Sequence, residues 1–556
     1  MKIRHLILHY SFILIPFVLP VISSAQDKPA DPSSLTEEIE VVRPYKPVLA
    51  DAVKIRRNPD LIDTKPFKPE LSYTIPDKRL ELDTYIRPLQ GQQLSMKPAM
   101  VLKNNYLKIG AGNMNGGLGE LYISNGDDEA LQAGFFAKHF TQGGSLNKQK
   151  FAVQQIGAFG RSILDHVTLN GELGYERRST YFYGFNPDNP LSNPDPERQR
   201  YSLVKLNGEM LKNSSTTDNG LNYGLKSDLY FLQSLTKSKE TSFAISGLIS
   251  KSWNSFDFGI NGSADFTGTK DSLSNTSNNI LRANPFVRLQ GANYKLNVGL
   301  NLVSEFGELS RTNLLPAVTA EADIIPKYAT VFAGYTGDAL KTSLHQLSLE
   351  NPYLSNSLTI KNALEKSNIY GGIKGNAGEG MGYKVSGFYK TVTNLPLLVN
   401  SVNRLQKFDV IYDGGDSKIA GFEGEISLNT LDAFSWTGKL VINDYNLATE
   451  RSAWSKPDFQ LVSNVRASVN NKLIVHGEVL LTGETEAKTY TYTPLPVENI
   501  VGVKSFVDLS GGAEYRFADK VGLYIQVNNI LGTKYQQFLY YPKLGLNVLA
   551  GFNYSF

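Results

Sequence analysis

The sequence predicts an all-β protein: a large transmembrane antiparallel β-barrel of about 22 strands behind a short Pro-rich N-terminal region. Three observations carry this. Runs with one apolar face, rich in Tyr, Phe, Gly, Asn, Ser and Thr, recur from residue 103 to the C-terminus. Many reach about ten residues or more, the length a tilted strand needs to cross a bilayer, whereas strands of soluble proteins average about five or six. The connections alternate between short turns and long polar loops, as in outer-membrane barrels with short periplasmic turns and long external loops.

Taken from the N-terminus, residues 1–25 read as a signal peptide. Lys2 and Arg4 form a basic start, Leu6 to Ile22 an apolar stretch, and Ser23-Ser24-Ala25 the small residues before a cleavage site. Pro16 and Pro20 interrupt a stretch already short for a membrane-spanning helix. Export of such a barrel implies the outer membrane of a Gram-negative bacterium. The chain has no Cys, which excludes disulfides, thiolate metal sites and lipoprotein processing. Residues 1–25 hold two basic and no acidic residues, so the net charge of +3 becomes +1 without them. That balance points away from a nucleic-acid partner.

Residues 26–102 form a Pro-rich, charged stretch containing Arg43-Pro44-Tyr45-Lys46-Pro47 and Lys65-Pro66-Phe67-Lys68-Pro69. Proline locks φ and withholds a backbone donor, so this segment is expected to be extended, in the periplasm or the lumen.

Residues 103–556 are the barrel. Strands are expected near 103–113, 115–124, 130–140, 149–163, 164–182, 199–212, 219–233, 240–250, 254–268, 278–290, 293–303, 313–325, 327–337, 367–376, 381–392, 416–429, 433–446, 457–470, 472–484, 503–517, 520–530 and 545–556. The last is the clearest: Leu546, Val548, Ala550, Phe552, Tyr554 and Phe556 alternate with Asn547, Leu549, Gly551, Asn553 and Ser555. Similarly, Ala420, Phe422, Gly424 and Ile426 alternate with Gly421, Glu423, Glu425 and Ser427. An even count brings both barrel ends to the periplasm. The long connections 183–198, 338–366, 393–415, 485–502 and 531–544 then fall outside, with Leu405–Tyr412 as an extra loop strand. Tyr181, Phe182, Tyr183, Tyr540, Tyr541, Tyr554 and Phe556 lie near strand ends, as interfacial girdle residues do.

Several passages resemble TonB-dependent receptor barrels. They are Asn351-Pro352-Tyr353-Leu354, Glu365-Lys366, Tyr370-Gly371-Gly372-Ile373-Lys374-Gly375, Tyr383 to Tyr389 with Thr393-Asn394-Leu395-Pro396, and Val527-Asn528-Asn529-Ile530-Leu531-Gly532-Thr533-Lys534-Tyr535. With the closing Phe556 they cover residues 320–556. The resemblance implies a transport barrel. The family's plug domain, of well over a hundred residues, has no room in the stretch 26–102, so the chain resembles a plugless member. Glu37, Glu38, Ile39, Glu40, Val41 and Val42, followed by Arg43 and Pro44, resemble a TonB box and form a candidate partner-binding segment that would act by strand addition.

Catalysis is not expected. Without residues 1–25 the histidines are His139, His166, His345 and His476, and none joins a nucleophile grouping or a metal-spaced cluster. No cofactor or metal is expected. The charges predicted to face the lumen are Glu423, Glu425, Lys439, Arg466, Glu478, Asp508, Glu514 and Arg516, mixed in sign and suited to pairing across the wall. The expected surroundings are outer-membrane lipid and other outer-membrane or periplasmic proteins, TonB among the candidates. Three function classes remain open: TonB-receptor-like uptake, a non-transporting subunit of a larger outer-membrane assembly or secretion complex, and a passive pore. An unfilled barrel of this size would be a wide aqueous hole, which disfavours the last.

Overall fold

The computed structural model describes residues 105–556, apart from 126–129, 187–192, 214–219, 272–273, 379, 431–432, 471, 493–494 and 519. The expectations for residues 1–25 and 26–102, with the Glu37–Pro44 segment, lie outside the described residues.

Twenty-two strands form one antiparallel sheet in which each barrel strand pairs with the next. The first, Tyr106–Gly112, also pairs over its whole length with the last, Asn547–Ser555, so the sheet closes on itself. Closure satisfies every ladder hydrogen bond without an edge, which a sheet in lipid requires. Alternation along the strands sorts side chains into two environments. Leu173, Val204, Leu206, Phe231, Ile249, Ile260, Val298, Leu314, Ile369 and Leu523 are exposed on the outer wall. Residues of opposite parity, such as Glu240, Asn301 and Asp508, are buried on the inner wall. An apolar exterior around a polar interior is the inverse of a soluble sandwich and matches a lipid-facing barrel. At the end holding Asn105 and Phe556, Trp253, Phe256, Tyr328, Phe517, Tyr554 and Phe556 are exposed and form an aromatic girdle.

On the inner wall, rings lie flat over glycines of the adjacent strand. Gly334 is directly opposite Tyr370, and Gly421 opposite Phe388. A Cβ on Gly334 would stand 2.2 Å from Tyr370 Cζ, and one on Gly421 would stand 2.3 Å from Phe388 Cζ. Only glycine allows this approach.

The outer end departs from a simple ring of loops. Strands Met381–Asn400 and Phe408–Thr430 continue well past the lipid-facing band as one long hairpin. Leu405–Tyr412 is therefore no separate loop strand; its second half begins the long strand. The segment 485–502, expected as loop, holds a hairpin of Thr485–Tyr492 and Pro496–Val503 that is not part of the barrel sheet and packs on Leu539 and Tyr540. The connection expected across 338–366 contains a short helix, Leu344–Glu350.

Four of the expected girdle residues lie elsewhere. Phe182, Tyr183, Tyr540 and Tyr541 are buried, because the outer loops fold inward and use these rings as their own core. Tyr181 pairs with Arg198, two positions beyond Ser179, on the face that carries the exposed Tyr175, and so keeps its place on the outer wall.

Candidate functional site

At the barrel's outer mouth, loops fold inward and pack on one another. The connection 341–362 leaves strand Ala329–Leu340, folds into the lumen and returns to strand Ala363–Asn376. Ser343 caps the helix Leu344–Glu350, accepting the Gln346 N–H at 3.1 Å. Asn351 ends it by donating its N–H to the Leu347 carbonyl, and its Oδ1 accepts from the Tyr353 N–H at 2.8 Å. The Asn351-Pro352-Tyr353-Leu354 passage is thus the turn that carries the chain off the helix. Leu354 then bridges to Phe408 of the long hairpin.

Polar anchors tie this loop to the wall on strands Val167–Tyr181, Lys239–Trp253, Phe256–Lys270, Asn275–Gln290 and Phe408–Thr430. Glu240, 1% exposed, accepts the N–H groups of Leu344 and His345 at 2.6 and 2.9 Å. It also accepts the hydroxyls of Tyr230 and Thr269 at 3.0 and 2.9 Å. Lys341 is 2.7 Å from Asp265. Asn278 donates to the Ile360 carbonyl at 2.7 Å. Arg178, three strands from Glu240, donates to Ser348 at 3.2 Å, and Tyr412 of the long hairpin receives the Lys361 N–H at 2.8 Å. A buried carboxylate is tolerable only when its lone pairs are filled, and Glu240 has four donors.

A second loop, 529–546, packs against the first. Tyr541 stacks on Tyr353 with ring centroids 3.6 Å apart and meets the Tyr183 ring edge-on. Its hydroxyl donates to the Gln406 carbonyl. Phe538 packs on Phe408. Leu344, Leu347, Leu354, Leu358 and Ile360 join these rings in one apolar cluster. The outer cap therefore has a hydrophobic core of its own, roofing the lumen.

Beneath the cap lies a cavity of about 660 Å³ against the wall on either side of the barrel seam. Lys108, Glu120, Lys138, Glu176, Arg178 and Lys205 line it together with amide and tyrosine side chains. Several charges there are already paired: Arg178 is 2.7 Å from Glu176, and Lys205 is 2.6 Å from Glu172. Such a lining can hold a polar, hydrogen-bonding solute. Among the described residues no group of three or more His, Asp or Glu is arranged to hold a metal ion.

The eight charges predicted for the lumen lie on inward-facing strand positions. Lys439 sits between Glu423 and Glu425, at 2.5 and 3.0 Å. Arg516 stands 3.8 Å from Glu514. Asp508 accepts from Ser510 at 3.0 Å and from the Tyr535 hydroxyl. Arg466 is opposite His476, and Glu478 opposite Asn464. They line the half of the wall that includes strands Phe408–Thr430 and Phe506–Ala518, away from the cap's main anchors. Sequence reasoning missed those anchors, Arg178, Glu240, Asp265 and Lys341. A signal was present in Ser343-x-x-Gln346 before Leu347, an N-cap pattern.

No family model matches this chain, and no curated protein matches it. Solved structures do. The pyoverdine receptor FpvA of Pseudomonas aeruginosa, bound to a heterologous pyoverdine, is similar with a TM-score of 0.63 and 14% identity, over 82% of this chain and 71% of that one. The FrpB iron transporter from Neisseria meningitidis gives 0.62 and 10%, over 82% and 81%. The ferric-catecholate import receptor Fiu from K12 E. coli gives 0.60 and 10%, over 82% of each chain. At such identity the likeness is one of fold. The closed barrel, its apolar exterior and this shared fold make the chain an outer-membrane barrel of a Gram-negative bacterium.

Proposed function

We propose that this chain is a TonB-dependent-receptor-like barrel serving transport across the outer membrane, with its outer mouth closed by its own loops. The observation that carries this reading is the inward-folded connection 341–362, anchored from several strands of the wall and roofing a cavity lined by charged, amide and tyrosine side chains. A fixed open pore needs no such roof. Passage of a solute requires the cap to move, so the loop is the gate. In this reading residues 26–102 take the place of a plug domain as an extended periplasmic or lumenal arm. Glu37–Pro44 within that arm is the segment through which a periplasmic partner, TonB included, acts by strand addition.

The closed cap also favours a second reading, a non-transporting subunit of a larger outer-membrane assembly, because well-filled anchors serve a static roof equally well. Single-channel conductance in planar bilayers tests the first. The intact protein should be silent, and a variant with 344–360 replaced by a short Gly-Ser linker should pass a large steady current. A variant lacking residues 26–100 shows whether the arm adds to the seal. Steady current from the intact protein would overturn both readings in favour of a pore. Impaired growth of a deletion strain on one specific nutrient supports transport. Stable co-purification with other outer-membrane proteins, without any such growth defect, supports the subunit.

A further inference from the structure

The outer wall carries a concentration of cations that none of the functions above uses. Strand register places them on one face. Arg177 is opposite Ser202, Arg200 opposite Ser179, and Arg198 opposite Tyr181. On the same face, nearer the membrane centre, Tyr175 pairs with Val204 and Leu173 with Leu206, all four exposed. Lys150 lies on the lipid side of strand Lys150–Ile163, whose Ile156 is opposite Tyr175. Two strands further round, Lys239 is directly opposite Lys270, above the exposed pair Phe243 and Phe266. These cations thus extend across six consecutive strands, a width of roughly 25 Å at ~4.8 Å per strand.

Among the described residues none of these six forms an ion pair, in contrast to Lys366 further round the outer rim, which is 2.8 Å from Asp416. Alternation separates the patch from the lumen network: Arg178, next to Arg177, points inward to Glu176. The patch lies at the long-loop end, the outer surface, directly above side chains that face acyl tails. Unpaired Arg and Lys at headgroup height suit phosphate, which Arg engages with two parallel N–H donors.

We propose that Lys150, Arg177, Arg198, Arg200, Lys239 and Lys270 form a binding site for the phosphate groups of a phosphorylated glycolipid in the outer leaflet. The acyl chains of the bound lipid lie along Leu173, Val204, Leu206 and Phe243, while its headgroup phosphates bridge the arginines. The site depends only on which end faces outward, so it stands whether the barrel moves solute or not.

The test is native mass spectrometry of the full-length protein released from detergent after incubation with phosphorylated lipid A or its dephosphorylated form. Intact protein should retain the phosphorylated lipid and not the dephosphorylated one. The variant Arg177→Gln, Arg198→Gln, Arg200→Gln, Lys239→Gln should lose at least about tenfold in retention, since each cation near a charged lipid surface contributes measurably. The matching variant Arg177→Lys, Arg198→Lys, Arg200→Lys should keep most of it, and heat-resistant migration of the barrel shows that each variant is folded. Equal retention by the glutamine variant, or retention that ignores the phosphates, overturns the proposal. So does an acidic protein that co-purifies with the intact barrel, carries no lipid, and is released by the glutamine substitutions.

Discussion

Tyr541 lies face to face with Tyr353, ring centroids 3.6 Å apart and planes inclined by 17°. The two rings belong to loops far apart in sequence, and their contact joins the inward-folded connection to the loop before the last strand. Replacing a buried aromatic by alanine typically costs about 3–5 kcal/mol, and this cost falls on the cap while the barrel ladder stays intact. Tyr541→Ala should therefore leave barrel melting nearly unchanged, increase hydrogen exchange across 344–360, and give flickering openings in planar bilayers. A drop in barrel melting comparable to the gain in exchange would contradict a cap that opens independently.

Glu240 should act as the latch. Glu240→Ala strands the amide donors of Leu344 and His345 inside the lumen, at about 1–3 kcal/mol for each unsatisfied group. Glu240→Gln keeps one acceptor oxygen and should cost less. The check is amide exchange at those two residues, expected to rise in the order wild type, glutamine, alanine.

His345 makes the cap sensitive to pH. Burial against Tyr230, helped by the positive charge of Arg178, lowers its pKa to about 4; Lys341 and Lys205 act in the same direction and Glu176 opposes them. An imidazole that takes its proton less readily in the folded cap than in the unfolded chain favours folding while it is neutral. Its contribution is complete above its ordinary value of about 6.5 and is lost as the pH falls toward 4. Cap opening, read as channel activity, should rise through that window, and His345→Gln should flatten the response.

The ring-on-glycine contacts predict a different failure, in the wall itself. Gly334→Val places a branched side chain where the Tyr370 ring lies, an overpacking that costs about 1–3 kcal/mol or more. Barrel melting should fall, while cap exchange at matched stability should not change. Adding Tyr370→Ser should restore part of the loss, because the clash is with that ring.

The wall was legible in the sequence because alternation with a lipid-facing set survives in nearly every strand. The strand expected over 313–325, for example, differs by only two residues at one end from the observed Arg311–Ile325. Legibility failed where alternation failed. At Thr393-Asn394-Leu395 the register shifts, with Asn394 at φ 57°, and Leu395, Leu397, Leu398 and Val399 are all buried. Beyond that bulge one face meets the cap instead of water, so consecutive apolar residues replace the two-residue period. The same cause hid the site. Tyr183, Tyr353 and Tyr541 look like loop or girdle aromatics until the loops fold onto one another, and a seven-residue helix leaves too short a period to detect. The lumen charges were read from parity alone, which gives the face of each but not its partner.

The seam between Tyr106–Gly112 and Asn547–Ser555 couples the two ends of the barrel sequence. Every other wall contact joins near neighbours along the chain, so hairpins can accumulate in order, but the ring stays open until the last strand arrives. A nascent barrel stopped short of Asn547 carries two bare strand borders, each a template for pairing with another chain. Completion is therefore a single late event with a large loop-closure cost. A frameshift near the C-terminus should be as damaging to biogenesis as one near the middle, and its product should accumulate as aggregate instead of as a smaller barrel.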